Sequence, residues 1–308
     1  MNVINDAKEL RPGGRKVCVC IGFFDGVHLG HQQIIRQTVT DARNHDALAV
    51  VVTFDRHPSA VVAPERTPPL IYSLASKLKT ISTFGADTTW LIEFNQAFSQ
   101  IPAEQFIHDM VNDFGKVHSI CVGASFVFGH KRGGNVAVLK KLGQELGFLV
   151  HGIASVSLDG QAVSSTRIRE AIRSGDFDAA SQMLGRAYSL SGKVIRGDRL
   201  GHQLGFPTAN IDTAGLVLPP HGVYVAHATV HGKAMRAVLN IGRRPTVQNP
   251  TPELRVEVHL LDFPGGDLYG QEMEIMFAAK LRDEQKFASL EELKAQIARD
   301  IDEARRRF

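Results

Sequence analysis

The spacing of hydrophobic residues changes near the middle of the chain, and this change limits the folds that the sequence can adopt. From residue 17 to about residue 184, short β-branched segments alternate with segments of helical period. From residue 189 onward, one strand-like segment follows another, and helical period returns only at 289–307. Buried strands joined by helices form covered parallel sheets, whereas strands separated by turns form antiparallel sheets or barrels. The sequence therefore predicts two domains of different class.

The first half predicts an α/β domain with a Rossmann-like, doubly wound parallel sheet. Its strand-like segments are apolar throughout, which is typical of strands buried on both faces. Gly115 and Gly147 follow two of the helical segments, at the position where glycine ends helices. The predicted strands cover 17–22, 48–54, 88–94, 117–123 and 148–154, and the predicted helices cover 31–44, 74–84, 103–114 and 135–146.

The second half predicts a small antiparallel β-barrel with a terminal helix. Turn signals at His231-Gly232 and at 264–267 separate neighbouring strand-like segments, so we expect antiparallel hairpins there. Within 289–307, apolar residues recur at steps of three and four, which predicts a helix with one face packed on the barrel. We expect the two domains to cover 1–184 and 185–308. The predicted strands cover 190–195, 222–230, 233–242, 254–263 and 272–281.

Composition and charge exclude several classes of protein. The 308 residues are 44% hydrophobic, which argues for packed cores and against disorder. The net charge of +3 comes from 35 basic and 32 acidic residues spread along the chain, so we expect no nucleic-acid partner. The apolar segments are far shorter than the roughly 20 residues that cross a bilayer, and residues 1–16 contain no signal core. We expect a cytoplasmic protein without membrane contact, in which Cys18, Cys20 and Cys121 are buried, reduced thiols.

The first glycine-rich loop, G-F-F-D-G-V-H-L-G-H at 22–31, follows a predicted strand and opens a predicted helix. Glycines let the backbone approach a ligand, and the amides and dipole at a helix N-terminus favour phosphate. His28 and His31 are three residues apart, so both imidazoles can donate hydrogen bonds to one anion. Histidines are also metal ligands, but no cysteine or carboxylate with zinc spacing accompanies this pair. The candidate nucleotide contacts in the loop are Gly22, Asp25, Gly26 and Gly30.

This loop resembles the H-x-G-H signature of the nucleotidylyltransferase superfamily, matched by His28, Gly30 and His31. A second superfamily element, a serine/threonine-arginine run, is matched by V-S-S-T-R-I-R at 163–169. Its hydroxyls and amides stand at the start of a predicted helix, and Arg169 offers a bidentate charge to the β and γ phosphates of ATP. The alternative interpretation is an ordinary capped surface helix. The candidate contacts in this run are Ser164, Ser165 and Thr166.

The second glycine-rich loop, G-H-Q-L-G-F-P-T-A-N at 201–210, predicts a different chemistry. Gly201 and Gly205 bend the backbone, while Thr208 and Asn210 present oxygens on one side of an extended segment. Mg²⁺ prefers oxygen ligands and needs only one or two from the protein when it bridges ATP phosphates. The alternative is a turn in which both side chains satisfy backbone groups.

Longer segments resemble bacterial bifunctional riboflavin kinase/FAD synthetases. Segments 53–58 and 122–135 and the helix beginning at Ser73 are similar to their FMN adenylyltransferase module. Segments 197–210, 218–224, 240–246 and 254–263 are similar to their riboflavin kinase module. This sequence departs from the family pattern at Arg56, Ser125, Val127 and His202.

The resemblance implies roles for further residues. The family's glutamate that positions or deprotonates the substrate hydroxyl maps to Glu257, and strand alternation places Glu257 and His259 on one face. The alternative is a solvated carboxylate on the outer face of a strand. Segment 281–287 resembles the family where the barrel meets its terminal helix, so Arg282 and Phe287 are candidate flavin contacts.

The family's activity implies two successive reactions. ATP and riboflavin would give FMN and ADP in the barrel domain; ATP and FMN would then give FAD and pyrophosphate in the α/β domain. Mg²⁺ is the expected metal, and we expect a monomer or weak oligomer. Two alternatives remain at this point: a riboflavin kinase with a weakened or inactive adenylyltransferase domain, and a non-catalytic sensor of flavin or nucleotide.

Overall fold

A computed structural model describes residues 1–197, 200–246 and 249–308, with side chains described except at 200, 243–246 and 249–253. The chain divides into two compact units. The first unit contains Met1–Arg167 and Met183–Gly185, and the second contains Ile168–Gln182 and Arg186–Phe308. The predicted domain boundary between residues 184 and 185 falls within the short segment that belongs to the first unit.

The strands that precede residue 185 are β1 (Asn2–Ile4), β2 (Lys16–Ile21), β3 (Ala47–Phe54), β4 (Thr88–Ile92), β5 (Val117–Gly123), β6 (Val127–Phe128), β7 (Gly134–Asn135), β8 (Leu149–Ile153), β9 (Ser157–Leu158) and β10 (Gln161–Ala162). Six of them form an entirely parallel sheet in the order β1-β4-β3-β2-β5-β8. Two short antiparallel pairs, β6 with β7 and β9 with β10, lie outside this sheet.

The helices over the same range are α1 (Leu29–Asn44), α2 (Ser59–Val62), α3 (Leu74–Ser82), α4 (Gln96–Ser99), α5 (Ala103–Phe114), α6 (Val136–Leu146), α7 (Ser165–Ser174) and α8 (Phe177–Leu184). Separate apolar clusters pack on the sheet, one with α5 and α6 and the other with α1 and α3. The predicted doubly wound sheet is therefore confirmed. Gly115 and Gly147 end α5 and α6 with positive φ, as predicted.

The elements from residue 189 onward are β11 (Ser189–Ile195), α9 (Leu200–Gln203), β12 (Ala209–Ile211), β13 (Gly222–Val230), β14 (Lys233–Thr246), β15 (Asn249–Leu260), β16 (Glu272–Arg282) and α10 (Leu290–Arg307). The six strands close into an antiparallel barrel in the order β11-β12-β15-β14-β13-β16. This order confirms the predicted barrel.

One predicted hairpin is correct and the other is wrong. His231 and Gly232 join β13 to β14, which pair along their lengths. The turn at 264–267 joins no hairpin, because β16 pairs with β11 and β13 while β15 pairs with β12 and β14. Closure of the barrel separates β15 from β16 by two strands, a long-range arrangement that a local turn signal does not contain.

The terminal helix α10 covers part of the barrel's outer surface. Ile301 and Ala304 are buried with Val223, Val238 and Leu261, an apolar cluster distinct from the one inside the barrel. Ser289 caps α10 by accepting a hydrogen bond from the backbone N–H of Glu292. The predicted helix and its packed face are confirmed.

The cysteines are buried and free of disulfides, as expected for Cys18, Cys20 and Cys121. Burial is the main cause that raises the pKa of each thiol, and that of Cys121 reaches about 12. No helix among the described residues has the length and apolar character needed to cross a membrane.

Candidate active sites

The first glycine-rich loop lies at the carboxyl end of β2, where parallel sheets place their ligand sites. Its backbone is strained: Phe24 and Val27 have φ of 57° and 41°, and Gly26 between them has φ of 72°. Left-handed conformations cost free energy for side chains such as that of valine and concentrate at functional sites. Gly22 precedes this strained turn and is half-buried.

His28 and His31 lie side by side at the start of α1, as predicted. Their rings stack with centroids 3.6 Å apart, and Nδ1 of His28 accepts the backbone N–H of His31 at 3.4 Å. A side chain at Gly30 would approach the His28 ring to 3.2 Å, so glycine leaves room for it. Because a nitrogen that accepts carries no proton, the neutral ring of His28 has its N–H at Nε2.

His31 is a neutral donor rather than a cation at physiological pH. Burial holds the pKa of His31 well below its usual range, and the neighbouring His28 and Lys77 act in the same direction. Its Nδ1 is buried with no hydrogen-bond partner in the described parts of the chain. The pair therefore suits hydrogen bonding to a phosphate more than charge neutralisation.

The serine-rich run meets the first loop directly. Ser165, at the start of α7, donates its hydroxyl hydrogen bond to the carbonyl of Asp25 at 3.2 Å. Ser164 accepts the backbone N–H of Arg167 at 3.3 Å and so caps the helix. Thr166 is exposed to solvent. Asp25 and Ser165 are 140 residues apart in the sequence, and their hydrogen bond joins the two motifs.

Asp25 holds the loop in place. Its carboxylate accepts the backbone N–H of Ile71 at 3.0 Å and that of Tyr72 at 3.4 Å, just before α3 begins. Contact between Asp25 and a nucleotide, predicted from the motif, stays a prediction. Arg169 is also buried, with 7% of its surface exposed, and its role in phosphate binding stays a prediction.

Lys77 on α3 is a buried cation that none of the sequence motifs contains. Its ammonium donates to the carbonyls of Phe23 and Phe54 at 3.2 and 2.7 Å and lies 4.2 Å from the centre of the Phe23 ring. Burial lowers the pKa of Lys77 to about 8, although Asp25 and Asp55 act to raise it. A lysine within a predicted amphipathic helix reads as an exposed residue, so the sequence carried no signal for this position.

An aromatic cavity of about 540 Å³ lies in the same unit. Segment 126–132, part of the block that resembles the family, lines one side of it. Phe126 and Phe128 stack at 5.2 Å, and the basic side chains of segment 130–132 follow them. Of the departures from the family pattern, Val127 lines this cavity, whereas Ser125 is exposed and does not.

Arg56, another departure, forms an ion pair with its neighbour Asp55, with Nη2 and Oδ2 2.8 Å apart. Burial acts to raise the pKa of Asp55, but hydrogen bonds from Arg56 and from the backbone N–H of Phe94 outweigh it and lower that pKa. Asp55 thereby fixes the Phe94 backbone, and Phe94 lines the aromatic cavity.

The barrel unit contains a cavity of about 440 Å³ between its strands and α10. Six of the predicted residues line this cavity: Gly201, Thr208, Asn210, Glu257, Arg282 and Phe287. Gly205 lies in the turn of the same loop with φ of 88° and is exposed. His202, a departure from the family pattern, is exposed and does not line the cavity.

Strand register brings the polar groups of this cavity together. Glu257 on β15 pairs with Asn210 on β12 and with Asn240 on β14. Directly opposed residues on neighbouring strands are within side-chain reach. Val256 and Val258 point into the barrel core and are fully buried, so strand alternation places Glu257 in the cavity, as predicted. The sequence indicated nothing about Asn240 beyond its place in a family block.

The loop that carries Thr208 is tightly folded. The backbone N–H of Phe206 donates to the carbonyl of Gly201 at 2.8 Å. A side chain at Gly201 would lie 2.5 Å from the Phe206 carbonyl and 3.0 Å from Thr208 Oγ1, so only glycine fits. His259 reinforces this arrangement, because its Nδ1 lies 2.8 Å from the Pro207 carbonyl. Asp198 and Arg199, within the segment that resembles the kinase signature, lie outside the described residues.

The donor atoms in this cavity suit a hard cation. Hydroxyl, amide and carboxylate oxygens come from Thr208, Asn210 and Glu257, and all three side chains line the same space. Mg²⁺ takes oxygen ligands and retains waters, so an open site of this kind fits it better than a closed cage.

Arg282 is held by the terminal helix. Its Nε and Nη2 donate to the carboxylate of Asp300 at 2.9 and 2.7 Å, and Nη1 donates to the Asp283 carbonyl. Gln296 also donates to Asp300, at 2.8 Å. Because these hydrogen bonds join Arg282 to Asp300 on α10, Arg282 positions the helix and shapes the cavity wall. Phe287 contributes an apolar ring surface to the same cavity.

The first unit is a parallel sheet with a strained H-x-G-H loop, and the second is a closed barrel with an oxygen-lined cavity. Together they define the class of protein: a two-domain enzyme of phosphoryl and nucleotidyl transfer. Residues 11–167 match the FAD synthetase family, and residues 184–308 match the riboflavin kinase family.

Full-length relatives carry both parts. The chain is 39% identical over 305 residues to the bifunctional riboflavin kinase/FMN adenylyltransferase of Pseudomonas fluorescens, covering 99% of this chain and 97% of that protein. The Escherichia coli K12 protein of the same name is 36% identical over 310 residues, covering 100% and 98%. A crystal structure named as a macrolide-efflux protein from Streptococcus pneumoniae superposes with a TM-score of 0.80 at 28% identity, covering 98% of each chain. The chain belongs to the bifunctional riboflavin kinase/FMN adenylyltransferase family.

Proposed function

We propose that the barrel unit phosphorylates riboflavin with ATP and that the α/β unit adenylylates the resulting FMN with a second ATP. The observation that carries this proposal is the barrel cavity, where Thr208, Asn210 and Glu257 meet on adjoining segments. Its polar edge suits phosphates and a cation, and its apolar wall against α10 suits a flavin ring.

In the kinase reaction, the 5′-hydroxyl of the ribityl chain attacks the γ-phosphorus of ATP and ADP leaves. Glu257 accepts the hydroxyl hydrogen and directs the oxygen toward phosphorus. Thr208 and Asn210 would hold Mg²⁺, which neutralises charge on the ATP phosphates when bound. Asn240, opposite Glu257, is placed to fix the carboxylate or the hydroxyl by a hydrogen bond.

In the adenylyl transfer, the FMN phosphate attacks the α-phosphorus of ATP and pyrophosphate leaves. This nucleophile is already anionic near neutral pH, so the site needs donors rather than a strong base. His28 and His31 would donate hydrogen bonds to the phosphoryl oxygens, with Gly22, Gly26 and Gly30 beside them in the same loop. The stacked rings and strained turn at 22–31 support this role.

We assign FMN to the aromatic cavity of the α/β unit. Its stacked Phe126 and Phe128 suit an isoalloxazine ring, and the basic segment 130–132 suits the phosphate. Lys131 and Arg132 both have positive φ, 51° and 60°, strain that is typical of residues held for binding. Val127 would contact the flavin through its aliphatic side chain, without a polar bond.

One incubation tests the function. The protein is mixed with riboflavin and excess MgATP, and the flavins are separated by chromatography over time. We expect FMN to appear first and FAD to follow, with ADP equal to the sum of FMN and FAD and pyrophosphate equal to FAD. FMN without FAD would indicate a kinase with an inactive adenylyltransferase domain, and bound riboflavin without any product would indicate a sensor; either would contradict the proposal.

Several finer assignments belong to the same proposal. The domain boundary lies between residues 184 and 185, Mg²⁺ is the metal, and the protein acts in the cytoplasm as a monomer or weak oligomer without nucleic acid or membrane as partners. Equilibrium sedimentation and replacement of MgATP by ATP with a chelator test the oligomeric state and the metal requirement directly.

A further inference from the structure

A cluster of one carboxylate and three imidazoles lies at the C-terminal end of α1. Asp41 lies in the last turn of this helix, and His45 is the residue that follows the helix. His118 lies on β5 and His151 on β8. Asp41 is 8% exposed, and its carboxylate lies 3.4 Å from His45 Nδ1 and 3.6 Å from His151 Nε2. The rings of His45 and His118 are 3.9 Å apart. Nothing in the proposed reactions uses these four side chains.

Two ring nitrogens of this cluster lack hydrogen-bond partners. His118 Nε2 and His151 Nε2 are buried and have no hydrogen-bond partner within 1–197, 200–246 and 249–308. A buried polar nitrogen without a partner costs about 1–3 kcal/mol. Asp41 accepts a hydrogen bond from the hydroxyl of Ser119, and His45 Nδ1 donates to the Asp41 carbonyl at 2.9 Å, so the lone pair of His45 is at Nε2. A metal that accepts the lone pair of His118 Nε2 would remove the cost at that ring.

The spacing of Asp41, His45 and His118 suits a metal ion. With metal–nitrogen and metal–oxygen bonds of about 2.0–2.1 Å, neighbouring ligand atoms in a tetrahedron lie about 3.3 Å apart. One donor atom from each of Asp41, His45 and His118 lies within 4.8 Å of the other two, somewhat wider than this value. His151 is not part of this three-residue group.

The chemistry of the donors selects the metal. Two imidazole nitrogens and one carboxylate oxygen form a borderline set that binds Zn²⁺, Co²⁺ or Ni²⁺, whereas Mg²⁺ prefers oxygen alone. Three protein ligands leave the fourth position of a tetrahedron to a water molecule. We propose that Asp41, His45 and His118 form a zinc site that binds the end of α1 to β5.

This site would act on stability rather than on chemistry. The 16 residues of α1 separate its His28 end from its Asp41 end, and a helix of that length spans about 24 Å. A metal that binds the folded state alone stabilises it in proportion to the logarithm of metal concentration over Kd. The expected consequence is a first unit whose unfolding temperature depends on zinc.

Zinc binding to the full chain, with any tag removed, tests the proposal. The protein is stripped with a chelator and titrated with ZnCl₂ by calorimetry, and bound metal is counted by elemental analysis after dialysis against MgCl₂. We expect one zinc per chain. Changes to outer-shell partners already lower zinc affinity 10- to 100-fold, so loss of a ligand in H118A should lower it by at least about 100-fold. H151A removes a neighbour of the Asp41 carboxylate and should have only the smaller outer-shell effect.

Two further variants make the result interpretable. H45A removes a partly exposed ligand, so it should fold even if changes at buried Asp41 do not, and it should also lose affinity. H108A removes a histidine on α5 outside the cluster and should bind zinc like the wild type. Co²⁺ should give the intense visible absorption of a tetrahedral site in H108A but not in H45A. No zinc bound by the wild type, or equal affinity in all variants, would overturn the proposal.

Discussion

At the residue scale, the most informative side chain is one that no motif marked. Lys77 is 3% exposed and lies between the strained first loop and the end of β3 through its bonds to Phe23 and Phe54. A buried ammonium is unfavourable unless it is well hydrogen-bonded, and such groups cluster at functional sites. We expect Lys77 to hold the nucleotide loop in its strained conformation.

The pKa of Lys77 predicts how the stability of the first unit depends on pH. This pKa is about 8 in the folded chain against 10.5 for an ordinary lysine. Between these values the unfolded chain holds a proton that the folded chain has released, so stability rises with pH; below pH 8 both states are protonated and the contribution is flat. From pH 8 to 9.5, wild type should gain about 1.5 kcal/mol relative to Lys77→Met.

Urea unfolding measures this difference in the first unit alone, because the protein's single tryptophan is Trp90 on β4. Its fluorescence reports that unit, and comparison with the variant cancels the other titrating groups. Parallel pH profiles for wild type and Lys77→Met would show that the lysine is not perturbed by burial.

Glu257 carries the second prediction. Glu257→Gln keeps the shape of the side chain but removes the carboxylate that takes the proton of the substrate hydroxyl, so FMN formation should fall about 10²- to 10⁴-fold. Conversion of added FMN to FAD should be unchanged. Both rates are measured by chromatography of the flavins at saturating ATP.

Glu284→Gln is the matched control, since Glu284 is another carboxylate that lines the barrel cavity but stands on the connection after β16. Its effect on FMN formation should be much smaller. Equal losses in the two variants would mean that general negative charge in the cavity, and not the Glu257 position, supports the reaction.

At the element scale, the bond between Arg282 and Asp300 fixes α10 on the barrel. Both side chains are largely shielded from water, so Asp300→Asn leaves a poorly paired guanidinium and should destabilise the packed helix by about 2 kcal/mol. Since α10 forms one wall of the cavity, the KM for riboflavin should rise. Hydrogen exchange should accelerate in 290–307 and stay unchanged in the first unit.

Glu303→Gln provides the comparison on the same helix. Glu303 pairs with Arg306 and Arg307 at the surface, and exposed ion pairs contribute little to stability. We expect no change in exchange or in KM. Faster exchange of α10 in Glu303→Gln, or none in Asp300→Asn, would show that apolar packing alone holds the helix.

Element predictions from the sequence succeeded where the signal is local. The apolar runs became β2, β3, β4, β5 and β8 within about two residues at each end, because buried parallel strands have uninterrupted apolar composition. Two strands of the parallel sheet and the barrel were missed: β1 has three residues, and β12 includes Asn210, which reads as a turn residue. The two-residue strands β6, β7, β9 and β10 were also not predicted. The turn at 264–267 was predicted to join a hairpin, but β15 and β16 do not pair. Which strands pair depends on barrel closure, and closure is a long-range property.

Site residues, like the strands and helices, were predicted where the signal is local and missed where the contact is long-range. Thr208, Asn210 and Glu257 were predicted and share one cavity, because strand alternation and a family motif both specify them. The partner of Arg282 was not predicted, since Asp300 reaches it from a helix 18 residues later in the chain. The proposed zinc site combines residues from the end of α1 and from β5, and no short sequence pattern contains such an arrangement.

At the scale of the whole molecule, the residues proposed for the kinase reaction lie in the second compact unit, and those proposed for adenylyl transfer lie in the first. Arg169, which the motif predicts to bind phosphate, belongs to the second unit. The product of the barrel reaction is the substrate of the other, and FMN is small and soluble. Nothing in the chemistry requires both reactions to occur in one molecule. The two activities should therefore be separable by mutation and restorable by mixing.

His31→Ala and Glu257→Gln test this independence together. His31→Ala removes a buried hydrogen-bond donor, so it should form FMN from riboflavin normally but make FAD about 10²- to 10³-fold more slowly. Glu257→Gln should convert only added FMN. Mixed in one tube with riboflavin and MgATP, the two variants should form FAD after a lag during which free FMN accumulates, and the lag should shorten as the concentration of His31→Ala is raised. Loss of both reactions in either folded variant would refute the division of labour, because a substitution in one unit would then control chemistry in the other.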